Sequence, residues 1–209
     1  MGVTITDVKN VITNICKIVI KNKKYFCELD SVAGDGDFGM SLSKGFNEIQ
    51  KQIESTDSST IDRFIMGCSL IITEHSGGAT GPIWGSGFRA AAKSVQGKET
   101  LELTDVAEMF IAAAEGIQKR GSAKLGDKTL IDALIPAANA LVSAASENMT
   151  FKDAFKMAAK SAYEGAELTK TMVANRGRAT YLGKRSLTHP DPGAMAISVL
   201  FISLMDGTN

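Results

Sequence analysis

No two cysteines in this sequence fall at C-x-x-C spacing, and the total of three, Cys16, Cys27 and Cys68, is odd. That argues against a disulfide frame and for reduced thiols in a cytoplasmic protein. An excess of positive charge is also missing, since 23 basic residues face 23 acidic ones and no long Lys/Arg run occurs. Nucleic-acid binders carry a basic excess or stripe, so nucleic acid is not an expected partner. The longest apolar run, Ala194 to Met205, stops well short of the ~20 residues a transmembrane helix needs. Membrane insertion is therefore not expected. No stretch alternates convincingly with period two, which leaves little basis for a sheet.

What the chain has instead is helical periodicity and enough apolar residues, 44 % of 209, for a substantial core in one domain covering 1–209. Thr6-Asp7 is read as the cap of a first helix carrying Val8, Val11, Ile12, Ile15, Ile18 and Val19, ended by the charge run Lys21 to Lys24. A second helix carries Leu42, Phe46, Ile49 and Ile53. A third carries Ile61, Phe64, Ile65, Cys68, Ile71 and Ile72, and a fourth, with Pro82 in its first turn, runs from Trp84 to Val95. Thr104 caps a fifth that Gly121 closes. Asp127 or Thr129 opens a sixth, in which Pro136 should cause a kink or break. Thr150 caps a seventh reaching about Ala174, and an eighth runs from about Gly193 to Met205. The expectation is an all-α fold of about eight antiparallel up-down helices in a closed barrel or bundle.

The most unusual stretch lies between the first two of these helices. Asp30, Asp35 and Asp37 place three carboxylates in eight residues without a lysine or arginine among them. At about 4 Å each such pair repels by roughly 1 kcal/mol in water and roughly 4 at an effective dielectric near 20. Gly34, Gly36 and Gly39 let the backbone turn tightly enough to gather them, and all-oxygen ligation suits Mg²⁺ or Ca²⁺. An EF-hand is excluded because the bidentate Glu such a loop requires is absent. The plainer alternative is an acidic, solvated loop.

In an up-down array, alternate connections share an end. One end then collects Asp30–Gly39, Ser76–Gly81, Gly121–Thr129 and Arg176–Gly193, with most of the loop glycines. The other has plain connectors at Ser55–Ser59, Gly97–Thr100 and Glu147–Met149. Glycine-rich loops entering helix N-termini suit close approach to an anion, so the first end is the candidate metal and phosphate site. The alternatives remain: Ser76–Gly81 as a tight connection, Asp127-Lys128-Thr129 as a helix cap, Arg178 and Arg185 as solvated, Asp191-Pro192-Gly193 as a turn, and His75 and His189 as surface residues. Trp84 is read as core.

Taken together, Leu29-Asp30 with Gly34-Asp-Gly-Asp37, Gly77-Gly-Ala-Thr-Gly-Pro82, Gly126-Asp-Lys-Thr129, Gly177-Arg-Ala-Thr-Tyr-Leu-Gly183 and His189-Pro-Asp-Pro-Gly193 resemble the nucleotide-binding L subunit of dihydroxyacetone kinase. The resemblance keeps motif order over nearly the whole chain. It implies an eight-helix antiparallel barrel holding ADP or ATP with Mg²⁺ at one end. By position, Asp30, Asp35 and Asp37 would ligate Mg²⁺. Phe38, Gly39, Met40, Ser41, Ala79 and Thr80 would line the phosphates, and Gly121, Leu130, Arg178, Asp191, Pro192 and Gly193 would complete the nucleotide pocket. It further implies a partner K subunit that holds the ketose and, in the phosphotransferase-system form, an M subunit that re-phosphorylates bound ADP; a homodimer is left open. Three positions depart from the family pattern: Phe38 stands for a usual His, Thr80 for Ser and Lys184 for Glu. Phe38 has no side-chain donor, which leaves open a regulatory nucleotide-binding paralogue without turnover, or an ATP-using subunit for another small ketose.

Overall fold

Thr4, not Thr6, starts the first helix. Its hydroxyl accepts from the Asp7 backbone N–H while the Asp7 carboxylate accepts from the Thr4 N–H at 2.8 Å, a reciprocal capping box in which Asp7 is the third helical residue. In the computed structural model, which describes residues 2–207, α1 runs Ile5–Lys21 and α2 Lys23–Asp30, followed by α3 Phe38–Gln52, α4 Ile61–His75 and α5 Thr80–Ser94. The chain continues with α6 Leu103–Gly121, α7 Ile131–Ser146, α8 Phe151–Leu168 and α9 Pro192–Gly207. Short 3₁₀ segments cover Thr169–Thr171 and Arg178–Ser186. Among the described residues the only extended pairing is an antiparallel bridge between Val3 and Leu101. The all-α reading therefore holds.

The ninth helix relative to the expected eight is α2. Its lysines suggested a solvated run, but Phe26 is fully buried and α2 packs on α3 and α9. Two cap assignments also move. The α6 start is closed by Glu102 with Asp105, not Thr104. Helix α7 begins at Ile131, after both Asp127 and Thr129. Thr150 caps α8 as expected, but that helix ends at Leu168, short of Ala174.

Consecutive helices from α3 onward pack on one another, and α9 packs on both α8 and α1, so the series of helix contacts returns to its start. Phe46, Phe64, Leu42, Ile49, Ile72, Ile131 and Leu141 are completely or almost completely buried inside it. Burying each such side chain contributes roughly 1.5–3 kcal/mol. Cys16 and Cys68 are free and buried, and burial pushes both thiols up to about 12, so neither supplies a reactive thiolate.

Pro136 lies inside α7, which runs on through it without a break. Proline removes the N–H that would bond the carbonyl four residues earlier, which is Asp132. That carbonyl lies against Gly165 of α8, where any Cβ would collide with it. The missing side chain lets α8 close over the weak point, and alanines at 133, 137, 154, 158 and 162 allow the same close approach along the pair.

Candidate functional site

The turn after α2 is formed by Gly34 N–H donating to the Asp30 carbonyl at 2.6 Å, which folds the chain back over its own helix end. A Cβ on Gly34 would collide with Asp30 Oδ1, so any other residue here would push that carboxylate from its place over the turn. As a result Asp30, Asp35 and Asp37 each offer an oxygen, and these oxygens all lie within 4.8 Å of one another. Asp30 also accepts from the Phe38 backbone N–H at 3.3 Å. Three hard oxygen donors, two of them exposed, fit a solvated Mg²⁺, which keeps several waters and takes few protein ligands.

One cation already faces the cluster: Arg178, from the distant 3₁₀ segment, pairs with Asp35. Between the two, a cleft of about 450 Å³ is lined by Val32, Ala33, Gly34, Asp35, Tyr181 and Leu182 with Arg178. Its sequence neighbours alone leave Arg178 open between phosphate and solvent, and the family resemblance puts it in the nucleotide pocket; the fold places it opposite the carboxylates.

Two helix N-termini open on the same end. Helix α3 begins at Phe38, with Gly39, Met40 and Ser41 in its first turn, and α5 begins at Thr80 just after Ala79. In neither start does the N-cap side chain take a first-turn N–H; Phe38 N–H goes to the Asp30 carboxylate, Ser41 N–H to the Asp37 carbonyl and Thr80 N–H to the Gly77 carbonyl, which leaves the N–H groups of Gly39, Met40 and Gly81 open. The two meet where Gly77 N–H donates to the Ser41 carbonyl at 3.4 Å. Uncapped starts of this kind, with the helix dipole behind them, favour an anion. The Phe38 ring turns away to pack near Phe26, at 6.2 Å between centroids, so its departure from histidine removes a donor and adds a hydrophobic support.

The remaining expected positions form a second group. Gly121, at the end of α6, lies beside Ile83 of α5. Leu130 is buried and touches Gly193, and Asp191 Oδ2 accepts from Ala194 N–H at 2.8 Å, capping α9 at Pro192. Burial of its carboxyl, above all, pushes Asp191 up to about 7, against the Ala194 N–H and the Lys128 charge. No described contact joins this second group directly to the carboxylates.

The turn between α6 and α7, counted from sequence among the site-end loops and read locally as a helix cap, has a different role in the fold. Asp127 is no helix cap: its backbone carbonyl accepts from Asn175 N–H at 3.0 Å and its carboxylate from Arg176 Nε at 3.2 Å. Lys128 is 3 % exposed, and burial lowers its ammonium below the usual lysine range. Asp132 is buried too, held by Gly126 N–H at 2.5 Å and Thr129 N–H at 2.8 Å. The Gly-Asp-Lys-Thr motif was the available signal, but its local reading as a cap concealed a tertiary role.

The DAK2 domain family matches residues 32–206. A PEP-dependent dihydroxyacetone kinase ADP-binding subunit, DhaL, of Escherichia coli K12 is 33 % identical over 205 residues, covering 98 % of this chain and 97 % of that protein. A PTS-dependent counterpart from Lactococcus lactis is 32 % identical over 186 residues, covering 89 % and 88 %. The structure of a dihydroxyacetone kinase from C. freundii, in complex with AMP-PNP and Mg²⁺, has a similar fold at a TM-score of 0.79 and 22 % identity, over 99 % of this chain and 35 % of that one. None of the described helices is long and apolar enough to cross a membrane. With the family matched over most of its length and relatives aligned nearly end to end, the chain belongs to the DAK2 domain family.

Proposed function

We propose that this chain is the ADP- and Mg²⁺-binding subunit of a dihydroxyacetone kinase of the phosphoenolpyruvate-dependent kind, passing a phosphoryl group to a ketose held by a partner K subunit. The observation that carries the reading is the convergence of Asp30, Asp35 and Asp37 beside the uncapped start of α3, on a chain that aligns end to end with subunits named for binding ADP. Asp30, Asp35 and Asp37 would hold Mg²⁺, which supplies positive charge against the phosphates. The N–H groups of Gly39 and Met40 donate to phosphate oxygens, and Phe38, Ser41, Ala79 and Thr80 line them. Arg178 brings a further charge, and Gly121, Leu130 and the Asp191–Gly193 turn enclose the base and sugar.

Phosphoryl transfer asks a protein for positioning and charge stabilisation more than for covalent chemistry. This chain supplies both for the nucleotide. Two candidates at the site end are not placed to hold a carbonyl substrate: Lys128 is committed to backbone carbonyls, and exposed His189 precedes the α9 turn. The acceptor therefore arrives on another protein docking at the glycine-rich end, in line with the terminal phosphate. An M subunit restores the bound ADP, and the setting is the cytoplasm.

The test is reconstitution. The purified chain with Mg²⁺, ATP and dihydroxyacetone gives negligible sugar phosphate, and turnover appears on adding a K-type subunit with a phosphohistidine-carrying M-type donor. Robust turnover by the single chain overturns the partner requirement. Tight ADP binding with no turnover in any reconstituted mixture identifies a regulatory paralogue.

A further inference from the structure

Between α8 and α9 the chain makes an excursion over the site end that carries Arg178, and a single ammonium gathers its two feet. Lys128 Nζ donates to the carbonyl of Thr169, where the excursion leaves α8, and to that of His189, where it returns, both at 2.6 Å. The neighbouring Asp127 binds the same strap further along, through Asn175 and Arg176. Thr188 N–H donates to the Lys170 carbonyl at 2.8 Å and Asp191 N–H to Thr169 Oγ1 at 2.8 Å, closing the base of the loop.

This is a costly arrangement for plain chain connection. A buried ammonium loses its hydration, and Lys128 also sits in the left-handed backbone region at φ 61° without being glycine. Apolar side chains would join two feet with less penalty. What an ammonium adds is direction, because its donors fix two carbonyls at set positions. The flanking carboxylates of Asp132 and Asp191 hold the charge in place without taking its hydrogen bonds.

We propose that Lys128 is a positioning residue for the nucleotide site: by pinning both feet of the 170–188 strap it sets where Arg178 and the Asp191–Gly193 turn stand. The role rests on the nucleotide-binding reading above, but the pinning itself can be tested without nucleotide.

Lys128→Met keeps the length of the side chain and removes its charge. In the ligand-free protein, trypsin cleavage after Lys184 or Arg185 should become roughly tenfold faster, the loss expected for hydrogen bonds to a charged group. Cleavage outside the strap and helical content should be unchanged. Calorimetric affinity for Mg·ADP should fall by a similar factor, and Lys128→Arg should recover part of both. If Lys128→Met does not fold, Asp127→Asn, which loosens the same strap further along at Asn175 and Arg176, should still speed strap cleavage and weaken Mg·ADP severalfold. Unchanged cleavage in the folded variants overturns the pinning. Faster cleavage with unchanged Mg·ADP affinity overturns the positioning role. Failure of the wild-type chain to bind Mg·ADP overturns the nucleotide reading instead, while the cleavage rates still decide whether Lys128 pins the strap.

Discussion

Helices that start at the two ends of this molecule start differently. Where α1, α4, α6 and α8 begin, a side chain closes each: Thr4 with Asp7, Thr60, Glu102 with Asp105, and Thr150. Where α3 and α5 begin, the N-cap residue makes no side-chain bond, while at the same end Thr129 takes the Ile131 N–H of α7 and Asp191 the Ala194 N–H of α9. The connections differ in the same way. At the capped end they are mostly satisfied within a few residues, as in Ser59 N–H on Asp57 or Asn148 N–H on Ala145, with the Val3–Leu101 bridge and the Lys9–Glu54 pair as longer ties. At the other end Asp35 needs Arg178, Asp127 needs Asn175 and Arg176, and Lys128 needs Thr169 and His189. One end is built for stability by local means. The other holds its carboxylates in place through long-range contacts and leaves the N–H groups of Gly39 and Met40 open at the start of α3, which suits a ligand site.

The largest expected effect sets the ends apart by function. Replacing Asp37 by Asn removes one of three charges from the proposed cation site, and Mg²⁺-dependent ADP affinity should fall about 100-fold. Because the same change relieves repulsion within the cluster, the ligand-free protein should melt no lower than wild type. Asp57→Asn at the capped end should leave binding untouched. Calorimetry with equal affinities for all three proteins would remove the carboxylate site.

Adding ligand should sharpen the contrast. Mg·ADP at 100 times its dissociation constant adds about 2.7 kcal/mol to a protein that binds it only when folded, or about 5–10 °C in melting temperature for a chain of this size. Hydrogen exchange should slow over 176–193 and at the starts of α3 and α5, but not at 55–59, 97–100 or 147–149. Uniform slowing across both ends would mean that the ends are not separate in their energetics.

Which of these features could be read from the sequence follows from how far apart the interacting groups lie along the chain. The three aspartates converge because glycine turns bring them together within eight residues, so composition and spacing sufficed. The long helices were legible because each carries a one-sided apolar face. Helix α2 was not, since Lys21, Lys23 and Lys24 outweighed the single buried anchor Phe26. Nor was the break of α8 at Leu168, where Thr169 is drawn into the base of the strap. Arg178 against Asp35, and Lys128 beneath His189, join residues far apart in sequence, and no local pattern announces either.

Acidity offers a smaller contrast. Asp191 holds its proton more firmly folded, at about 7, than at its ordinary value of 3.8. Its contribution to stability is therefore present below pH ~4 and is lost as pH rises through about 7. Between pH 5 and 8 the wild-type chain should lose stability relative to Asp191→Asn, which keeps an acceptor for the α9 start, by on the order of 2 kcal/mol. Denaturant titrations with parallel pH profiles for the two would show that Asp191 is not perturbed.

The smallest effect belongs to the capped end, and it completes the comparison. Thr150 accepts from Asp153 N–H at 3.1 Å and donates to the Asp153 carboxylate at 2.8 Å, so Thr150→Ala frees a helical N–H and removes the partner of an exposed charge. Loss of such a cap costs about 1 kcal/mol, and here the cost falls on a helix whose far end leads into the strap. If stability at the capped end were coupled to the site, fraying of α8 would loosen Thr169 and with it the Lys128 anchor. The α8 core, fully buried at Ala154, Ala158, Ala162 and Ala166, stands between the two, so fraying should stop within the first turn. Thr150→Ala should then lower the melting temperature by about 2–4 °C with Mg·ADP affinity unchanged. A fall in affinity from this variant would show that the local and long-range halves of the molecule are one cooperative unit after all.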